Sequence, residues 1–136
     1  MREISAVRQD SERGVRRWFQ DDYFDLFVWQ DASGEPVAFQ LCYARGGNEG
    51  AIEWHAQRGF SHGRIDPGAR PARHAMSPLL RPDGVPPYYR IVNRFLDLPP
   101  DWDPQLHAFV LERLREYRQA LFGTRRPPRR PRSARR

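Results

Sequence analysis

Residues 37–43 alternate without a break: Val37, Phe39, Leu41 and Tyr43 fall on one side of an extended chain, Ala38, Gln40 and Cys42 on the other. A period of two belongs to a strand with one face buried against a core. Similar short runs separated by turn-forming clusters fill residues 15–66, so this stretch constrains the fold more than any other. Its connections are too short to hold crossover helices, and consecutive strands must therefore pair antiparallel.

The runs read in order as strands over Glu3–Arg8, Val15–Gln20, Tyr23–Gln30, Val37–Ala44, Ala51–Ala56 and Phe60–Asp66. Asp21-Asp22, the Gly34-containing loop Asp31–Glu35, the glycine-rich Arg45–Gly50 and Gln57-Arg58-Gly59 are the connections. Pro67–Pro87 carries six prolines and two glycines and is expected to be a long irregular loop. Beyond it, Pro86-Pro87 presets a helical first turn, and Tyr88, Ile91, Val92, Phe95 and Leu96 recur at helical spacing until Pro99-Pro100. Asp103 followed by Pro104 opens a second helix whose stripe is Leu106, Phe109, Val110, Leu114, Tyr117 and Leu121, closed by Gly123. Two amphipathic helices need an apolar partner, and the sheet has a face to offer. The expected architecture is α+β: an antiparallel β-meander of about six strands, strongly curved, packed against two C-terminal helices.

With 136 residues the chain has the size of one domain, expected over residues 1–123, with an Arg/Pro-rich tail over 124–136 that like charges keep disordered. No apolar run approaches the roughly 18 residues that span a bilayer, so a cytoplasmic location without membrane contact is expected. A single cysteine, Cys42, leaves no internal disulfide and no multi-cysteine zinc site. The formal charge of +6 is concentrated: Arg125, Arg126, Arg129, Arg130, Arg132, Arg135 and Arg136 lie in the last twelve residues, and 23 basic residues less these seven leave 16 against 17 acidic ones. The body is near neutral. The tail arginines form a candidate anion-binding segment able to hold nucleic acid non-specifically and salt-sensitively.

The runs Arg17-Trp18-Phe19, Asp25-Leu26-Phe27-Val28-Trp29, Pro36-Val37-Ala38-Phe39-Gln40-Leu41-Cys42-Tyr43 and Gly59-Phe60-Ser61-His62 resemble a group of short bacterial proteins of unknown function, over roughly residues 15–66. The resemblance implies no activity and no site residues.

The candidate chemistry lies where the later strands meet. A two-residue loop at Arg58-Gly59 would set His55 opposite His62 and Glu53 opposite Arg64, with Gln40 and Cys42 alongside, at separations where cross-strand polar pairs interact. Gln40, Cys42, Glu53, His55, His62 and Arg64 thus form a candidate polar cluster. His beside Glu suits general base work, and two His with a carboxylate suit a divalent metal. No HExxH helix, paired Cys or nucleophile elbow accompanies them, so no catalytic residue, metal or cofactor is assigned. The plainer reading puts these side chains on the wet face of a half-exposed sheet, with Cys42 as a small packed residue. A one-residue slip would bring Trp54 to face His62 and break the cluster.

His74, near Arg70 and Arg73 in the proline-rich segment, is a candidate cationic lid residue, although solvated arginines in a long loop are the commoner case. His107 reads as a helix-surface or boundary residue. Phe27, Trp29, Phe39 and Trp54 would bound an internal cavity if the sheet were hollow, and core if it were filled. The leading expectation is a non-enzymatic binding or interaction module of unknown partner. The alternatives are a small enzyme or metal-dependent site on the polar cluster and a carrier of a small apolar ligand.

Overall fold

A computed structural model describes residues 1–5, 15–65, 80–82 and 85–123. Its strands are β1 (Arg2–Ile4), β2 (Val15–Gln20), β3 (Asp25–Gln30), β4 (Pro36–Tyr43), β5 (Gly50–His55), β6 (Gly59–Ile65) and β7 (Leu80–Pro82), followed by helices α1 (Tyr88–Leu96) and α2 (Pro104–Arg118). All neighbours pair antiparallel in sequence order, β1 through β7, and the sheet does not close on itself. The meander under two helices is the expected class. β7 is an addition, because its three residues pair with β6 inside a segment expected to be wholly irregular.

Turn chemistry explains why the strands reverse where they do. Asp31 Oδ1 accepts hydrogen bonds from the Ser33 and Glu35 backbone N–H groups and from the Ser33 hydroxyl, while Gly34 takes φ +89°. A carboxylate here stands in for backbone carbonyls in a tight loop, followed by the residue that tolerates a left-handed conformation. Asp21 does the same before β3, accepting from the N–H groups of Tyr23 and Phe24 at 2.8 and 2.6 Å.

The registers make continuous rows across the sheet. One face carries Phe19, Leu26, Leu41 and Ile52 in a single row, flanked by Val28, Phe39 and Trp54, and both helices contribute to the core on that side. Ile91 and Phe95 of α1 and Leu106, Val110 and Leu114 of α2 complete it. Asp103 caps α2 by accepting from Leu106 N–H at 3.1 Å, with Pro104 at the first helical position. The Tyr88 hydroxyl donates to the Leu114 carbonyl at 2.6 Å and ties the helices together.

Candidate functional site

The opposite face of the same sheet carries most of the buried polar side chains. Its rows run Trp18, Phe27, Gln40, Glu53 and Ser61, then Gln20, Asp25, Cys42, Ala51 and Gly63. The expectation of a wet face fails over its middle, where Asp25, Phe27 and Gln40 are completely buried and Arg16, Trp29 and Cys42 nearly so, whereas Glu53 and His55 are half-buried and Ser61 is exposed. The aromatic content accounts for it. Phe27 and Trp29 on β3 and Trp18 on β2 give this face a floor that a solvated sheet would not carry, and Trp18 stacks on Phe27 at 5.6 Å and 19°.

Within the floor, Asp25 gathers several donors. Its Oδ1 accepts from Trp18 Nε1 and Gln20 Nε2, both at 2.9 Å, and its Oδ2 lies 3.7 Å from Arg45 Nε. A buried carboxylate is tolerated only when such groups replace the water it has lost. The Arg16 guanidinium lies over the Phe27 ring at 5.9 Å, supplying a cation on the same surface. Neither residue belonged to the expected cluster. The available signal was Asp25 itself, an acid heading a strand that is otherwise largely apolar on both faces.

Of the six cluster residues, four share this face and two do not. Gln40 stands directly opposite Glu53, its amide donating to Glu53 Oε2 at 3.4 Å. His55 pairs with Ala38 one row away, and Cys42 is a buried thiol clustered with Phe27, Trp29 and Ala51. His62 and Arg64 belong to the helix-side face, because Ile52 and not His55 is opposite His62, and Gly50 and not Glu53 is opposite Arg64. The expected pairing is wrong by an odd number of residues, which flips every side chain of β6. The reason is the turn. Arg58 N–H bonds to the His55 carbonyl at 3.2 Å and Gly59 takes φ +79°, so the loop has three residues, Ala56 to Arg58, followed by a left-handed glycine.

His62 instead meets Tyr43, its Nε2 2.7 Å from the hydroxyl and the rings near-parallel at 12°. Gly50 makes that reach feasible: it sits opposite Tyr43, and a Cβ there would fall 2.3 Å from the Tyr43 hydroxyl oxygen. Arg64 bonds the Asn48 side chain in the loop before β5. His55 is engaged locally, its Nδ1 accepting from Gln57 N–H at 3.2 Å.

Phe39 and Trp54 stack on each other at 5.7 Å in the helix-side core and Phe109 closes on Trp54, so they do not share a cavity with Phe27 and Trp29. His107 is a correction as well: it is buried, stacked on Phe95 at 4.8 Å, with Nδ1 accepting from Trp102 Nε1 at 3.2 Å. Burial holds its pKa below the ordinary histidine value. His74, Arg70, Arg73 and the tail arginines lie outside the described residues. Among the described residues no group of three or more His, Cys, Asp or Glu is placed to hold a metal ion, and no helix is long and apolar enough to cross a membrane.

Comparison of the chain with protein-family models, with curated proteins and with solved structures finds no match.

Proposed function

We propose that this chain is a non-enzymatic binding module that seats a small planar ligand with hydrogen-bonding edges against the sheet face opposite the helices. One observation carries the reading: Trp18, Phe27 and Trp29 form an aromatic floor on which the wholly buried Asp25 and Gln40 are set, with Arg16 and Glu53 on the same face. Burying polar groups costs free energy that an apolar residue would not, and the strand residues buried on the other face of this same sheet are apolar side chains and Tyr43. Small-molecule sites combine these parts, an apolar or aromatic surface with a few fixed polar groups that set orientation. A ligand seated among groups so closed to solvent would exchange slowly and survive purification. The split of His55 and His62 across the sheet disfavours the alternative in which two histidines and a carboxylate act as one catalytic or metal-holding unit.

The tryptophans make the proposal measurable, since Trp18 and Trp29 line the proposed site while Trp54 and Trp102 belong to the helix-side core. Native mass spectrometry of the full chain purified from its own cells should detect a retained small molecule, released on denaturation. Returning it should quench a variant that keeps Trp29 as its sole tryptophan and leave one that keeps Trp54 unchanged. A chain that carries only its own mass, or a ligand that perturbs Trp54 alone, refutes the assignment.

A further inference from the structure

A second surface belongs to the helical layer, on the other side of the sheet from that floor. α2 passes into a π-helical turn, Gln119–Gly123, that brings Phe122 back against the start of α1. There Phe122 lies near-parallel to Tyr89, 6.0 Å and 11° apart, and edge-on to Tyr88 at 6.0 Å and 78°. Tyr88 is buried and packs onward against Tyr117, which stacks on Phe60, so the outer pair rests on a packed aromatic base. Tyr89 is 54% exposed and Phe122 39%, two large rings left in water side by side. Adjacent exposed rings mark binding surfaces in a way that isolated apolar residues do not.

The charge beside them is positive. Arg118 donates from Nε to the Tyr89 hydroxyl at 3.2 Å, and Arg90, next to Tyr89 in α1, is exposed. Among the described residues no carboxylate forms an ion pair with Arg118, whereas Arg113 and Arg115 pair with Glu116 and Glu112. The sequence then adds Arg125 and Arg126 three and four residues past Phe122. Five further arginines and no acid follow.

We infer that Tyr89 and Phe122 are a stacking platform for single-stranded nucleic acid, with Arg118 and Arg90 beside them to hold its phosphates. The rings decide the class of partner. A purely electrostatic tail would hold any polyanion, but exposed aromatic faces add a contribution only where bases are unpaired and free to stack. Arginine beside those rings suits both parts of the ligand, pairing bidentately with phosphate and stacking on bases.

The test is fluorescence anisotropy with the full chain and a labelled oligopyrimidine single strand of about 20 nucleotides, beside the matching duplex and anionic phospholipid vesicles. The single strand should bind more tightly than the duplex or the vesicles, its log affinity falling with log salt by about 0.7 per phosphate contact. Tyr89→Leu with Phe122→Leu retains apolar contact but removes the π-faces; it should weaken single-strand binding about tenfold, the equivalent of stacking one base, and leave duplex binding unchanged. Should Phe122→Leu disturb the fold, judged by circular dichroism, Tyr89→Leu alone decides. Equal affinity for single strand and duplex, tighter binding to vesicles, or leucine variants that bind like the parent would each overturn the platform and leave at most a non-specific basic tail.

Discussion

The two faces of this sheet are built from the same strands and both bury their central residues, yet they differ in kind. The helix-side face is packed with Phe19, Leu26, Val28, Phe39, Leu41, Ile52 and Trp54, and its polar members, Tyr43 with His62 and Arg17 with Glu3 and Asp103, pair with one another. The other face carries Arg16, Asp25 and Gln40 among its buried residues, between Trp18, Phe27, Trp29 and Cys42. Apolar burial suffices to hold strands together and is non-directional; buried polar groups add orientation at an energetic cost. The contrast separates a face committed to stability from one able to recognise something.

The largest effect that would break this contrast is on the helix side. Phe39→Ala should cost about 3–5 kcal/mol in urea unfolding, because it removes a wholly buried ring and its stack on Trp54. A loss well under that range would mean the helix-side core is not the main source of stability. On the other face, Asp25→Ala should cost about 1–3 kcal/mol, since it strips the acceptor from Trp18 Nε1 and the Gln20 amide. A larger penalty than that of Phe39→Ala would reverse the roles assigned to the two faces.

Smaller effects sharpen the boundary between sheet and helices. Asp103→Ala should cost about 1 kcal/mol by uncapping α2 and releasing Arg17, measured in the same unfolding assay. For His107 the sign follows from burial. Its folded pKa lies below the ordinary histidine value, so the unfolded chain binds the proton more readily. Its contribution to stability is therefore fully present above about pH 6.5 and declines as pH falls towards the folded pKa, where the decline ends. His107→Phe, which keeps a ring on Phe95, should flatten that part of the pH profile; an unchanged slope would assign it to other groups. Smallest of all, Glu3→Gln should cost no more than about 1 kcal/mol, because the Arg17–Glu3 pair that holds β1 is partly exposed, at 27% and 43% of the side chains, and screened. Arg17 holds the Glu3 carboxyl below its ordinary pKa, so this contribution is present above the ordinary carboxylate pKa and fades as pH falls through the lowered one.

Much of the fold was legible because it depends on local rules. Alternation placed β2 to β6 within a residue or two, Asp103-Pro104 marked the start of α2, and Gly34 and Gly59 take the left-handed conformations that their turns require. The site was legible only in part. Gln40 and Glu53 meet as expected, but nothing in the spacing distinguished a two-residue turn at Arg58-Gly59 from the three-residue turn that forms, and that parity alone sends His62 to the far side. Asp25 and Arg16 were passed over because an acid or arginine in a strand ordinarily points to water.

What the amino-acid order determined by itself was which segments extend, which coil and where the chain turns, since those choices rest on contacts within a few residues. Only the tertiary structure decided which of the two alternating sets faces the helices, which residues stand opposite one another, and that the middle of the remaining face is closed to solvent. Those outcomes depend on the hydrogen-bond register between strands, where a single residue in one turn exchanges inside for outside along a whole strand.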